Sequence, residues 1–315
     1  MAEVSLLQRE GQTFAGPSAV ARWASFVKLP HTVFALPFAL TGVVLASRVV
    51  LPSIGQVGWV VLAFTAARFA AMAFNRIIDR DVDAINPRTT MREIPSGALQ
   101  LGQAKLSVVL AGVTFLFASW MLNPLCGMLS PIALTWVLFY SYCKRFTRWS
   151  HLVLGLGLGI APVGGFLAVT GAWSEPAWML PVLAMAVMTW SGGFDILYAL
   201  QDMAFDRANR LHSLPASLGA PRALTVARVL HAGTVLLLAL VGWATAAGAL
   251  YALGVAVVAL LLAYEHTLVK PDDLSKLDAA FFTMNGIISI TFFTFVLLER
   301  VLHLPSLATL ITRTT

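Results

Sequence analysis

The chain alternates between long apolar segments and short polar connectors. An α-helix needs about 20 apolar residues to cross a bilayer, and nine segments of roughly that length follow one another. Their approximate bounds are residues 30–50, 57–78, 104–121, 124–142, 151–171, 178–200, 222–246, 249–269 and 280–302. The pattern predicts an all-α, polytopic membrane protein with about nine transmembrane helices surrounding a central cavity. We expect one domain over residues 1–315, with its helical core at about 25–302.

An acidic cluster ends the second apolar segment. If the helix continues beyond that segment, Asn75, Asp79 and Asp83 stand at i, i+4 and i+8 and share one face. Successive side chains would then lie about 6 Å apart. Like charges at this spacing repel, and carboxylates at the edge of a bilayer are costly. A divalent cation, which prefers oxygen ligands, would resolve both problems.

A second acidic cluster follows the sixth apolar segment. Asp195, Asp202 and Asp206 lie at i, i+7 and i+11, again on one helical face. The simpler explanation is a solvated helix end, but the helical spacing recurs on two separate helices and argues against it. A diphosphate joined through Mg²⁺ to both clusters fits the pattern, with its hydrocarbon tail among the apolar helices.

Composition and charge placement agree with a membrane protein. The 315 residues are 58% hydrophobic and 11% charged, with a mean hydropathy of +0.81, whereas soluble domains carry about 25% charged residues. Lys and Arg are concentrated near the N-terminus and in the loops after the even-numbered segments, which predicts that these parts face the cytoplasm. Both acidic clusters lie on that side. We expect a bacterial plasma membrane protein with no nucleic-acid partner.

The two longest connectors directly follow the acidic clusters. They comprise residues 84–103 and 207–221, and both fall on the predicted cytoplasmic side. Loops beside a site often carry function. We therefore expect them to form cytoplasmic caps over a charged cavity.

Three further polar residues lie near the clusters. Arg68 lies inside the second apolar segment and on the face of Asn75, where an arginine indicates function; the alternative is a structural ion pair with an aspartate of the second cluster. Tyr140 and Lys144 lie at i and i+4 at the end of the fourth segment and suit an anionic ligand held through metal. An interfacial tyrosine and a snorkelling lysine explain this pair equally well.

The fifth segment is rich in small residues, from Gly155-Leu156-Gly157-Leu158-Gly159 to Gly164-Gly165. Small residues allow membrane helices to pack closely. The alternative is that they leave room for a lipid chain against bare backbone.

The acidic clusters resemble the two aspartate motifs of the UbiA superfamily of intramembrane aromatic prenyltransferases. The matching patterns are Asn75-x-x-x-Asp79-x-x-x-Asp83 and Asp202-x-x-x-Asp206. The resemblance, which covers about residues 25–302, implies that these five side chains bind Mg²⁺ and a polyprenyl diphosphate. It also implies that Tyr140 and Lys144, which match the Tyr-x-x-x-Lys element of the family, contact the diphosphate together with Arg68.

One position departs from the commonest motif, because Arg76 stands where an aspartate usually follows the asparagine. This removes one possible metal ligand. Asn-Arg-x-x-Asp-Arg followed by Asn-Pro-Arg-Thr, and Leu211-His212-Ser213-Leu214-Pro215-Ala216, resemble the branch that prenylates 1,4-dihydroxy-6-naphthoate in the futalosine route to menaquinone. That acceptor is the main expectation. The alternative is 4-hydroxybenzoate, the acceptor of the ubiquinone branch.

The resemblance leads to a dissociative mechanism as a hypothesis. Mg²⁺ neutralises the diphosphate, while Arg68 and Lys144 stabilise the charge that develops on the leaving group. An electron-rich aromatic ring then attacks the allylic cation. Asp195 positions the aromatic acid or accepts the ring proton.

A proton-coupled transporter is the alternative from another functional class. Intramembrane acids and an arginine are expected there too. Transporter sites usually lie near the midplane of the membrane, however, and here the acids lie at one face.

Overall fold

The structure, a computed structural model, describes residues 18–302, except the side chains of residues 29–34. The α-helices are α1 (Ala19–Phe26), α2 (Leu29–Ala46), α3 (Ile54–Ile85), α4 (Leu101–Leu122), α5 (Pro124–Cys143), α6 (Ser150–Thr170), α7 (Met179–Ala199), α8 (Met203–Ala208), α9 (Leu214–Leu218), α10 (Ala220–Ala244), α11 (Ala249–Leu268) and α12 (Asn285–Leu302). A 3₁₀ turn (Leu200–Asp202) joins α7 to α8, and a π-helical turn (Ala279–Met284) leads into α12. The described residues include no β-strand beyond one isolated bridge between Lys270 and Asp273.

Eight helical stretches within residues 18–302 are long and apolar enough to span a membrane. They are Ile54–Ile85, Leu101–Leu122, Pro124–Cys143, Ser150–Thr170, Met179–Ala208, Ala220–Ala244, Ala249–Leu268 and Ala279–Leu302. They correspond to the second to ninth predicted segments. The first predicted segment falls on α2, whose apolar described part, Ala35–Ala46, is shorter than a span. The all-α membrane architecture is confirmed, and the count of nine spans stays a prediction.

Helix α3 continues through the first acidic cluster. It begins with a capping box between Ser53 and Gln56, in which each side chain bonds to the backbone N–H of the other residue. It ends at Ile85 because Asn86 precedes Pro87 and adopts an extended conformation, since the residue before a proline avoids the helical region. Asn75, Asp79 and Asp83 therefore lie on one continuous helix, as their predicted shared face requires.

The second acidic cluster does not lie on one uninterrupted α-helix as its spacing predicts. Asp195 belongs to α7, Asp202 ends the 3₁₀ turn and Asp206 lies in α8. A 3₁₀ helix has three residues per turn, whereas an α-helix has 3.6. The 3₁₀ turn therefore changes the direction in which the side chains of α8 project relative to those of α7. The sequence does not predict this change, because residues 196–206 contain no proline or glycine.

Helix α7 runs through the core and carries Asp195 near its C-terminal end. Its Leu180, Leu183 and Trp190 are almost completely buried. The Trp190 ring packs against Phe38 of α2, with ring centroids 4.5 Å apart, and against Phe194, with centroids 4.9 Å apart. This packing holds the end of α7 in place beside the polar cavity described below.

The glycines of α6 serve both purposes that the sequence left open. A Cβ on Gly155, Gly159 or Gly165 would overlap a backbone carbonyl of a neighbouring helix, that of Met188, Ala184 or Ala39 respectively. These positions require the close packing of α6 on α7 and α2. Gly157 and Gly164 have no such overlap and instead line an apolar cavity.

We expect Gly159→Ala to destabilise the protein, because its methyl group would force α6 away from the Ala184 carbonyl. Overpacking of this kind costs about 1–3 kcal/mol, so the thermal unfolding temperature in detergent should fall by several degrees. Gly233→Ala in α10 is the matched control, since nothing lies within 4 Å of the added methyl group. Equal melting temperatures for both variants would contradict the packing argument.

Candidate functional site

A polar cavity of about 160 Å³ lies where α3, α5, α7 and α8 meet beneath the loop of residues 86–100. Every side chain that the sequence singled out for chemistry lines it: Arg68, Asn75, Asp79, Asp83, Tyr140, Lys144, Asp195, Asp202 and Asp206. The two acidic clusters, far apart in the sequence, therefore face one another across a shared space.

The first acidic cluster is neutralised by arginines from outside α3. Arg145, just after α5, donates to Asp79 Oδ1 at 3.0 Å, and Asn75 donates to Asp79 Oδ2 at 2.8 Å. Arg92, in the loop after α3, donates to both oxygens of Asp83 at 2.7 and 2.8 Å. The Asp83–Arg92 pair is almost fully buried, which makes the guanidinium necessary to offset the desolvation of the carboxylate.

The second acidic cluster is neutralised from the same loop. Arg88 makes a bidentate pair with Asp202, through Nε at 2.8 Å and Nη2 at 2.6 Å. The Asn86 amide adds a hydrogen bond to Asp202 at 3.3 Å, and its side-chain oxygen accepts the backbone N–H of Arg88 at 3.0 Å. The turn at Asn86 thus positions Arg88 toward the second cluster.

Lys144 follows the last residue of α5 and lies near the carboxylates of both acidic clusters. Burial by itself lowers the pKa of this lysine, but the carboxylates of Asp206, Asp202, Asp195 and Asp79 outweigh that effect and raise the pKa above its ordinary value. Lys144 is therefore a cation at neutral pH. Asp206 is buried, and its Oδ2 has no hydrogen-bond partner among residues 18–302.

Asp195 has a different kind of partner. Its Oδ2 lies 2.7 Å from Nδ1 of His151, a histidine at the start of α6 that is completely buried. The Asp195 side chain retains 16% of its surface exposed, on the wall of the polar cavity.

Arg68 and Tyr140 mark the junction between the polar cavity and an apolar one. Both residues line the two spaces, as do Asn75 and Leu158. The apolar cavity has a volume of about 210 Å³ and lies among α3, α4, α5 and α6. In the described part of the chain, no ion pair joins Arg68 to an aspartate of the second cluster, and its Nε has no hydrogen-bond partner. The ion-pair explanation of Arg68 is therefore not supported.

Arg76 lines neither cavity. Its side chain is buried toward α1, where Nε donates to the Phe26 carbonyl at 3.4 Å. The residue in the place of the usual aspartate therefore ties α3 to α1 and contributes nothing to the wall of the polar cavity.

The donors of the polar cavity suit a magnesium ion that is shared with a phosphate ligand. Among the described residues, no three His, Cys, Asp or Glu side chains converge closely enough to hold an ion by themselves. Mg²⁺ binds proteins through one or two carboxylates and takes its other ligands from phosphate and water. The unsatisfied Oδ2 of Asp206 is the kind of atom that a cation would complete. The donor set thus fits Mg²⁺ as part of a metal–diphosphate complex.

Sequence reasoning missed several residues of this site: Asn86, Arg88, Arg92, Arg145, His151 and Tyr198. The signal for the loop arginines was their place directly after an acidic helix, in the segment already expected to form a cap. His151 carried no local signal, because its partner Asp195 lies 44 residues away.

Comparison with known proteins agrees with this geometry. Residues 35–287 match the UbiA prenyltransferase family. A 4-hydroxybenzoate octaprenyltransferase of Sodalis glossinidius is 29% identical over 250 residues, which cover 79% of this chain and 84% of that protein. A 4-hydroxybenzoate octaprenyltransferase of Salmonella paratyphi C is 29% identical over 72% of this chain and 78% of that protein.

Solved structures show the same fold. The apo structure of a UbiA homolog from Aeropyrum pernix has a TM-score of 0.78 and 30% identity, and covers 85% of this chain and 98% of its own. A UbiA homolog from Archaeoglobus fulgidus bound to DMAPP and Mg²⁺ has a TM-score of 0.68 and 20% identity, over 89% and 99% of the two chains. The family is one of prenyltransferases, so the transporter alternative is set aside. The chain therefore belongs to the UbiA prenyltransferase family and is an integral membrane prenyltransferase.

Proposed function

We propose that the protein transfers a polyprenyl group from a polyprenyl diphosphate to an aromatic acid in quinone biosynthesis, with Mg²⁺ as cofactor. The observation that carries the proposal is that two cavities of opposite character lie side by side and share lining residues. One is lined by carboxylates and cations, the other is apolar, and Arg68 and Tyr140 belong to both. A ligand with a charged head and a long hydrocarbon tail has this same division.

The diphosphate would occupy the polar cavity. Lys144 and Arg68 offer positive charge to it, and Lys144 is held as a cation by the surrounding carboxylates. Arg88 and Arg92, which neutralise Asp202 and Asp83, also lie on this wall. Arginine binds phosphate as readily as carboxylate, because its planar fork presents parallel N–H donors.

The metal would lie between the two acidic clusters. We assign its ligands to Asp79, Asp83, Asp202 and Asp206, with help from Asn75. When bound, Mg²⁺ would neutralise the diphosphate oxygens and so make the diphosphate a better leaving group. The support for this assignment is the chemistry of the donors and the unsatisfied Oδ2 of Asp206.

The transfer exchanges one bond to the first prenyl carbon for another. The allylic C–O bond breaks and its electron pair leaves with the diphosphate, while Arg68 and Lys144 stabilise the developing charge. The aromatic ring donates an electron pair to form the new C–C bond. Asp195, which lines the cavity wall, would accept the proton that the ring then loses. The apolar helices exclude water that would otherwise capture the cation.

The aromatic acid would bind near Tyr198. Lys28 Nζ and the Arg88 guanidinium each lie 5.5 Å from the centre of the Tyr198 ring, and Tyr198 stacks on Phe281 with centroids 4.1 Å apart. Lys28, Arg88, Tyr198 and Phe281 all line the polar cavity. An aromatic wall flanked by two cations suits a ring that carries a carboxylate.

We propose 4-hydroxybenzoate as the acceptor. Short motifs favoured 1,4-dihydroxy-6-naphthoate. However, the relatives described above are 4-hydroxybenzoate octaprenyltransferases, and this chain matches them over most of their length. Similarity over 250 residues outweighs a few short segments.

We also propose that the protein lies in a bacterial plasma membrane with its polar cavity on the cytoplasmic side, as the distribution of Lys and Arg predicts.

The first experiment supplies purified protein with a polyprenyl diphosphate, Mg²⁺ and either aromatic acid. We expect prenylated 4-hydroxybenzoate as the main product, and loss of product when EDTA removes the metal. Product from the naphthoate alone would restore the menaquinone assignment. Product from neither acid, with protein that melts cooperatively, would reject the proposed acceptors.

We expect Asp79→Asn and Asp206→Asn each to lower kcat/KM by about 100-fold or more, because each variant removes a charged ligand of the metal–diphosphate complex. Asp81→Asn is the matched control. Asp81 lies between the cluster residues in sequence, but its side chain is 80% exposed and pairs with Arg80 at 3.1 Å. It should keep full activity. Normal turnover of Asp79→Asn in folded protein would contradict the assigned site.

We expect Gly164→Leu to shorten the prenyl chain that the protein accepts. Gly164 lines the apolar cavity, and a Cβ there would meet no atom within 4 Å, so the larger side chain would fill the cavity and leave the helices in place. Turnover of long polyprenyl diphosphates should fall about 10-fold or more relative to geranyl diphosphate. Gly233→Leu, which adds the same volume away from both cavities, is the control. An unchanged preference would place the chain elsewhere.

A further inference from the structure

His151 lies behind Asp195, outside the wall of the polar cavity. It belongs to the first turn of α6 and is completely buried. Both nitrogens of its ring have partners: Nδ1 lies 2.7 Å from Asp195 Oδ2, and Nε2 lies 3.3 Å from the backbone nitrogen of Leu214. Leu214 is the first residue of α9, in the loop that connects α8 to α10. One side chain thus joins α6, α7 and this loop.

The contact with Leu214 determines which nitrogen of His151 carries the proton. A backbone N–H can only donate, so Nε2 must accept. A neutral imidazole then carries its hydrogen on Nδ1, which donates to Asp195. Histidine therefore supplies one hydrogen bond to the carboxylate and receives one from the backbone of the loop.

We infer that His151 is a positioning residue for prenyl transfer: it holds Asp195 Oδ2 so that the other oxygen, Oδ1, faces the aromatic acceptor. This inference rests on the proposed function. Among the described residues Oδ1 has no hydrogen-bond partner, and the carboxylate is reached from the polar cavity. With one oxygen bound to His151, the other is free to take the proton that the ring loses. The diphosphate leaves with the electron pair of the broken C–O bond, as described above.

The two hydrogen bonds of His151 can be tested separately. In His151→Asn the side-chain NH₂ takes the place of Nδ1 and still donates to Asp195, while the bond to Leu214 is lost. In His151→Gln the amide reaches the position of Nε2 and still bonds to Leu214, while the bond to Asp195 is lost. A purely structural role, in which His151 anchors the loop, favours Gln over Asn. The positioning role favours Asn over Gln.

The experiment measures kcat and both KM values for the wild type and for His151→Asn, His151→Gln and His151→Phe. We expect kcat to fall about 10-fold or more in the Gln and Phe variants and by no more than about 3-fold in the Asn variant. The KM for polyprenyl diphosphate should stay within about 2-fold in all of them. His212→Asn, the same substitution at an exposed position of the same loop, should behave as the wild type. A Gln variant more active than the Asn variant, or full activity of all three, overturns the inference.

A second measurement does not depend on the reaction. The infrared difference between the wild type and Asp195→Asn identifies the carboxylate stretching band of Asp195, which shifts when a hydrogen bond to the carboxylate is removed. We expect the shift in the Phe and Gln variants and its absence in the Asn variant. If the wild type prenylates neither aromatic acid, the proposed function fails while this band still decides whether His151 binds Asp195. A band that is identical in all variants overturns the inference by itself.

Discussion

Carboxylates at the edge of a membrane need nearby cations or hydrogen-bond donors. This requirement determines how the segments around the polar cavity are arranged. An ionised acid that leaves water loses several kcal/mol of solvation unless a cation or a hydrogen-bond donor replaces the water. Four of the aspartates on the wall of the polar cavity have such a partner from a different segment: Arg145, Arg92, His151 and Arg88. The fifth, Asp206, faces the charge of Lys144. These pairs hold the ends of α3, α5, α6, α7 and α8 together. All of these aspartates except Asp195 are also the proposed metal ligands.

The apolar cavity depends on how closely the helices pack elsewhere. Gly155, Gly159 and Gly165 bring α6 against the backbones of α7 and α2. Gly157 and Gly164 lie elsewhere on α6, where the lack of a side chain leaves open space toward α3 and α5. One helix thus provides both the tightest contacts of the bundle and the wall of the space proposed for a prenyl chain. Its composition follows from that double requirement.

The loops after the acidic helices are structural parts of the site. The loop after α3 supplies Arg88 and Arg92, and each pairs with a carboxylate of a different acidic cluster. The loop after α8 is joined to the core by the backbone N–H of Leu214, through His151 and on to Asp195. A ligand that changes the charge balance in the cavity would therefore act on both loops. The charges proposed to bind the ligand and the two loops beside them are therefore held in place by the same contacts.

The helical membrane architecture and the acidic residues of the polar cavity could be predicted from the sequence alone, because both follow from local patterns. Runs of about 20 apolar residues predict spans whatever surrounds them, and the spacing of Asn75, Asp79 and Asp83 requires only that α3 continue, as it does. Which groups meet depends instead on how the helices pack. The break at Leu200–Asp202, the burial of Arg76 toward α1 and the pairing of His151 with Asp195 depend on contacts between distant segments. Such contacts leave no periodic trace in the chain, since the free energy that selects them arises only when the helices pack.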